Sequence, residues 1–68
     1  MEIVFKKYYP ELVNAQAAAA DKEKEMKTKY NCYSCTSVWD ARNSNIWENG
    51  VWMKYLVTAV IWPDTIIK

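Results

Sequence analysis

The segment at residues 51–62, VWMKYLVTAVIW, limits the fold more than any other part of the sequence. Its β-branched and aromatic composition predicts a strand, in which successive side chains point to opposite faces of a sheet. The odd positions are Val51, Met53, Tyr55, Val57, Ala59 and Ile61, and the large apolar even positions are Trp52, Leu56, Val60 and Trp62. Both faces of this strand are apolar, so each needs a covering layer.

The longest helical pattern lies at residues 12–29, LVNAQAAAADKEKEMKTK, where nearly every residue is a good helix former. Pro10 suits the first helical position, and Glu11 beside it complements the positive end of the helix. The predicted inward stripe contains Leu12, Ala15, Ala19, Met26 and Tyr30.

Two further strands are predicted. Residues 2–9, EIVFKKYY, fit an edge strand whose lysine pair discourages edge-to-edge pairing. Residues 30–39, YNCYSCTSVW, have β-type composition without Gly or Pro. Pro63 is expected to end the last strand, since proline cannot donate to a ladder, and Ile66–Ile67 to add a little extended chain.

The register of the last strand has two solutions. Asn49–Gly50 predicts a two-residue type I′ turn, which places Trp47 opposite Trp52. The turn formers at residues 40–45, DARNSN, instead permit a longer loop, with strand 30–39 beside strand 51–62. Both registers can occur together if residues 46–48 only extend the hairpin.

These elements predict a single α+β domain over residues 1–68, with β-α-β-β order and one Ala-rich helix packed on a three-stranded sheet. One helix covers one face, so we expect the odd positions of strand 51–62 beneath it. The even positions would form an exposed patch, a feature that usually marks an interaction surface. Alternatively, the N-terminal strand, the 40–50 loop or the C-terminal tail folds over that patch.

Enzyme chemistry is not expected. The chain has no His and only one Gly, so it lacks the commonest general base and metal ligand as well as a phosphate-binding glycine loop. Asp40 and Glu48 could approach each other across the 40–50 loop, but aspartates in turns ordinarily cap backbone groups, so we do not expect a catalytic pair. We therefore expect neither a catalytic site nor a cofactor.

Cys32 and Cys35 form the one motif with a metal or redox mechanism attached, C-x-x-C. Zinc needs four ligands, so a metal site would require two chains that donate one motif each. On a regular strand, residues three apart point to opposite faces, which suits neither zinc nor redox exchange. The other interpretation is two small, partly buried apolar residues.

Charge and hydropathy limit the classes of partner that this chain is expected to bind. A net charge of +1 gives no strong field for polyanions, and KKYY at residues 6–9 with Arg42 and Lys54 supports only weak binding of single-stranded nucleic acid. No apolar run approaches the roughly 20 residues that span a bilayer, and no signal peptide is recognisable, so we expect no membrane partner and a cytoplasmic location.

The leading functional hypothesis is a small non-enzymatic protein-binding module, an adaptor or inhibitor of a larger protein. A domain of 68 residues buries only about 60 % of its unfolded surface, which favours a protein partner or a homo-oligomer. Small chains of this kind are often encoded by phages or other mobile elements. The expected partner-binding residues are Trp47, Trp52, Leu56, Val60 and Trp62. The alternatives are a homodimer bridged by zinc at Cys32 and Cys35, and a weak single-stranded nucleic-acid binder.

Overall fold

The computed structural model describes the backbone of residues 1–66 and the side chains of residues 1–64. The elements in chain order are β1 (Glu2–Tyr9), α1 (Leu12–Lys29), β2 (Cys32–Asp40), a 3-10 turn (Arg42–Ser44), β3 (Ile46–Glu48), β4 (Val51–Met53) and β5 (Tyr55–Ile66). Strands β1, β5 and β2 form one sheet, and β3 and β4 form a separate two-stranded sheet. The predicted α+β fold, with one helix packed on a three-stranded sheet, is confirmed.

The three-stranded sheet is antiparallel and has β5 at its centre. β1 and β2 both pair with β5, so the two strands that flank the helix in sequence become the two edges of the sheet. Helix α1 contacts all three strands. The central strand therefore determines which side chains lie beneath the helix and which lie on the other side.

Helix α1 begins at Leu12, two residues after Pro10. Glu11 has extended backbone angles (φ −120°, ψ 140°), and the N–H of Ala15 donates to its carbonyl oxygen over 3.1 Å. The prediction that Pro10 is the first helical residue is therefore wrong. At the other end, the N–H of Tyr30 donates to Met26 over 3.0 Å before the chain extends, and lysines occupy the negative end of the helix.

The core is thin and lies between the C-terminal half of α1 and the centre of β5. Met26 packs against Ala59 and Ile61, while Val57 is fully buried. These positions of β5 are the odd ones predicted to lie beneath the helix. Leu12, predicted to belong to the inward stripe, is 43 % exposed, because the helix makes its buried contacts further along, at Ala15 and Met26.

The hairpin formed by β3 and β4 has the predicted turn. Asn49 and Gly50 both have positive φ, 53° and 78°, which a type I′ turn requires. Trp47 lies opposite Trp52 and Glu48 opposite Val51. Both predicted registers therefore occur, since β2 also pairs with β5.

The strand predicted over residues 51–62 is interrupted at Lys54, and its two parts belong to different sheets. The N–H of Lys54 donates to the carbonyl of Tyr9 at the end of β1, whereas its own carbonyl accepts from the N–H of Ala41, just after β2. Simple alternation from residue 51 to residue 61 therefore fails across Lys54. Val51, predicted to lie beneath the helix, is exposed.

Pro63 does not end the last strand, which continues to Ile66. Tyr33 pairs with Trp62, but Cys32 pairs with Ile66, so the ladder shifts between these two pairs and Pro63 lies in the irregular part. Because the ladder is already irregular at this position, the missing N–H of Pro63 removes no regular ladder hydrogen bond. Ile67, the other residue of the predicted extended segment, lies outside the described residues.

Candidate functional site

The candidate site is the face of the three-stranded sheet opposite α1, which we call the open face. It holds a shallow groove of about 560 Å³. Its lining residues, which come from β1, β2, β5 and the N-terminal residue, are Met1, Ile3, Lys6, Cys35, Ser37, Trp39, Leu56, Thr58, Val60 and Trp62. Among the elements that the structure describes, only α1 is stacked on the sheet, and it covers the other side.

The open face exists because the buried and lining positions of β5 alternate. Val57, Ala59 and Ile61 are buried beneath the helix, whereas Leu56 and Val60 line the groove. Directly opposed residues in an antiparallel pair share a face. The register consequently adds residues of both edge strands to this surface.

Trp39 dominates one end of the open face. It pairs with Leu56, and its indole Nε1–H donates to the Thr58 hydroxyl oxygen over 2.9 Å. The ring therefore lies across the central strand, yet Trp39 remains 55 % exposed. A large, oriented aromatic side chain that is half accessible is a typical anchor of a protein interface.

Two more aromatic rings lie at the other end. Tyr33 pairs with Trp62, and their ring centroids are 5.3 Å apart at an angle of 49°. Tyr33 is 56 % exposed and Trp62 is half-buried. Ile3, on the adjacent strand, is 57 % exposed. Apolar surface thus extends along the whole open face.

The hairpin carries a second aromatic surface. The rings of Trp47 and Trp52 are nearly parallel, with centroids 6.3 Å apart, and the Lys54 ammonium lies 5.8 Å from the Trp52 ring centroid. The Trp47 indole N–H donates to the Asn45 side-chain oxygen over 2.9 Å. This pair belongs to the separate β3–β4 sheet and is absent from the groove lining.

The five predicted partner-binding residues are therefore divided. Leu56, Val60 and Trp62 lie together on the open face, whereas Trp47 and Trp52 form the hairpin pair. The sequence-based set omits three exposed side chains of the open face, namely Ile3, Tyr33 and Trp39. Period-two alternation in residues 33–39 would have identified Tyr33 and Trp39, once β2 had been placed beside β5.

Charge is sparse on the open face, where Lys6 is the only ionisable amine or acid among the groove-lining side chains.

Arg42 binds Asp40 through two parallel contacts, from Nε to Oδ1 at 3.0 Å and from Nη2 to Oδ2 at 2.7 Å. These hydrogen bonds lower the pKa of Asp40 to about 2 and raise the pKa of Arg42. Arg42 is therefore already paired, which weakens the case for a basic groove that binds nucleic acid.

The two cysteines lie on opposite sides of the sheet. Cys32 is half-buried and packs against the Met26 cluster, whereas Cys35 is exposed and lines the groove. Thiols on opposite sides of the sheet do not face one common site, which weighs against the alternative of a zinc ion held by one C-x-x-C motif from each of two chains. Among the described side chains, those of residues 1–64, there is no cluster of three or more His, Cys, Asp or Glu that could hold a metal ion.

Within the described part of the chain, no helix is both long enough and apolar enough to cross a membrane. Comparison with protein-family models, with curated proteins and with solved structures found no match to this chain.

Proposed function

We propose that this chain is a small protein-binding module without catalytic activity, which acts as a stoichiometric adaptor or inhibitor. Its open face docks on an apolar surface of a larger protein, with a carboxylate of the partner near Lys6. The observation that carries the proposal is the one-sided coverage of the sheet, which leaves Ile3, Tyr33 and Trp39 more than half exposed opposite the helix.

The composition of the open face supports a protein partner over a polyanion. Interface centres are enriched in Trp and Tyr and depleted of charge, and one lysine beside three aromatic rings fits that pattern. Nucleic-acid grooves interleave aromatic side chains with several cations. Lys6 is the one cationic side chain that lines this groove.

The size of the open face sets the strength of the contact. Residues 33–39 span about 20 Å at 3.3 Å per residue, and three strands 4.8 Å apart span about 14 Å. The projected area is on the order of 300 Å², the scale of a functional surface patch. A standard interface buries about 800 Å² per partner, so one open face alone predicts a weak or transient contact.

Trp39 and Trp47 provide a matched pair of variants for the test. They are 55 % and 57 % exposed, and each indole donates one hydrogen bond of 2.9 Å to a side-chain oxygen. Trp39 lies on the open face and Trp47 on the hairpin. The exposed part of Trp39 is about 140 Å², worth about 3.5 kcal/mol at 25 cal/mol per Å² if it is fully buried by the partner.

The experiment is capture of partners from the source cell, followed by calorimetry on the purified pair. We expect a complex of fixed stoichiometry whose affinity falls about 100-fold with Trp39→Glu and less than threefold with Trp47→Glu. A loss confined to Trp47→Glu would overturn the proposal in favour of the hairpin. So would binding to single-stranded oligonucleotides that weakens steeply with salt, or assembly that requires zinc.

A further inference from the structure

The two edges of the sheet differ in their protection against pairing with another strand. β1 carries two lysines, Lys6 and Lys7, and has a bulge between Ile3 and Phe5, and both kinds of feature commonly block an edge. β2 has none of them between Tyr33 and Trp39, where the sequence is YSCTSVW and every residue pairs with β5 in unbroken register.

An edge strand presents a row of backbone N–H and C=O groups that face away from its neighbour. The strand order β1-β5-β2 leaves the outer side of β2 without a further strand among the described residues. Its residues are β-branched, aromatic or small, a composition that accepts a new ladder. β2 is therefore a regular template for one more strand.

We infer that β2 pairs with β2 of a second copy of this chain, in antiparallel orientation about Thr36. The result is a continuous six-stranded sheet with two-fold symmetry. Thr36 is the midpoint of Cys32–Asp40, so this register pairs the whole strand. It is an isologous contact, in which the same surface serves both subunits.

The side chains are self-complementary in this register. Tyr33 lies opposite Trp39 of the second copy, and Thr36 lies opposite Thr36, both of which are favourable cross-strand pairs. No like charges meet, because residues 33–39 contain no charged side chain. Cys35 lies opposite Ser37 of the second copy.

The dimer also enlarges the open face. Both helices lie on one side of the joined sheet and both open faces on the other, so the projected open face grows to about 600 Å², near the size of a standard interface. The pairing uses backbone groups and leaves the open face free. The inference therefore does not depend on the function proposed above.

The register predicts a specific disulfide trap. Directly opposed Cα atoms are about 4.5–5.5 Å apart, within the range for a disulfide, whereas diagonal neighbours are about 7–8 Å apart. Ser37→Cys therefore places a new thiol opposite Cys35 of the second copy. Ser34→Cys on the same strand lies opposite Val38 and serves as the control, with the same number of thiols.

The test combines sedimentation with diamide oxidation. We expect the reduced wild-type protein to sediment as a dimer at 100 µM, and Ser37→Cys to form at least tenfold more covalent dimer than the wild type or Ser34→Cys. A monomer at this concentration overturns the inference. Equal cross-linking of the wild type through Cys35 overturns the register about Thr36.

Amide hydrogen exchange separates edge pairing from face-to-face association. Edge pairing adds hydrogen bonds to alternate amides of β2, so we expect at least tenfold slower exchange at these amides at 100 µM than at 1 µM. Protection that does not change with concentration, in a protein that sediments as a dimer, would show that another surface holds the dimer together and would refute the inference.

Discussion

Replacing Met26 with alanine is expected to remove a large part of the stability of this domain. Met26 is 2 % exposed and contacts Ala59 and Ile61. Truncation of such a side chain to alanine costs about 2–5 kcal/mol, and we expect about 3 kcal/mol here. At 0.05–0.15 kcal/mol per residue, a chain of 68 residues has a free energy of unfolding of about 3–10 kcal/mol.

Urea denaturation followed by tryptophan fluorescence measures the loss. With a slope of about 1 kcal/mol per M for so small a protein, the midpoint should fall by about 3 M, or the variant should be unfolded without urea. Leu12→Ala is the matched control on the same helix, because Leu12 is 43 % exposed; its midpoint should fall by less than about 1 M. Equal shifts, or a larger shift for Leu12→Ala, would refute the packing of Met26 against Ala59 and Ile61.

Two further predictions concern titration and thiol access. The hydrogen bonds from Arg42 lower the pKa of Asp40 from 3.8 to about 2, so the stabilisation from this pair is complete above the unfolded pKa and is lost as pH falls through about 2. A carboxyl NMR titration of Asp40 should have its midpoint near 2, and Arg42→Gln should return it toward 3.8; an unchanged midpoint would exclude Arg42 as the cause. Exposed Cys35 should be alkylated before half-buried Cys32, with no intrachain disulfide on oxidation, and peptide mass spectrometry that found such a disulfide would contradict their opposite orientation.

The sequence predicts those parts of the fold that depend on local chemistry. The Asn49–Gly50 turn follows from the need for two positive φ angles, and the helix over Leu12–Lys29 follows from propensity, although it begins two residues after the predicted start at Pro10. Alternation correctly assigns Val57, Ala59 and Ile61 to the helix side, because they lie on the central strand and pack beneath one layer.

The interruption at Lys54 could not be predicted from residues 51–62 alone. Its cause lies elsewhere in the chain, in the backbone bonds to Tyr9 and Ala41 and in the 3-10 turn that separates β2 from β3. Asn45, with φ 51°, returns the chain to the hairpin after that turn. The alternation of apolar residues within one strand does not show that the neighbouring strand is interrupted by a turn.

The members of the open face were only partly predictable for a related reason. Leu56, Val60 and Trp62 follow from alternation in one strand. Trp39 and Tyr33 join them only through the register of β2 against β5, which is a long-range pairing. The same limit applies to the unprotected edge, because strand order decides that β2 is an edge and β5 is not.

The dimensions of the molecule bear on both the open face and the edge of β2, because they show how much of the surface α1 leaves uncovered. The structure measures 44 × 20 × 17 Å, and an 18-residue helix is only about 27 Å long, so α1 cannot cover the full length of the molecule. The accessible surface is 4999 Å², about 500 Å² more than the roughly 4,500 Å² of a compact monomer of 8.0 kDa. The radius of gyration is 13.2 Å, against about 11 Å for a compact domain of this length.

A two-layer domain that leaves one sheet face and one sheet edge accessible can bury them in only two ways. A third layer can cover the open face, and a further strand can pair with β2. The two contacts are compatible, since one uses side chains and the other uses backbone groups. Dimerisation at β2 would double the area that the open face offers, so disruption of the edge should weaken partner binding even though no contact residue of the open face has changed.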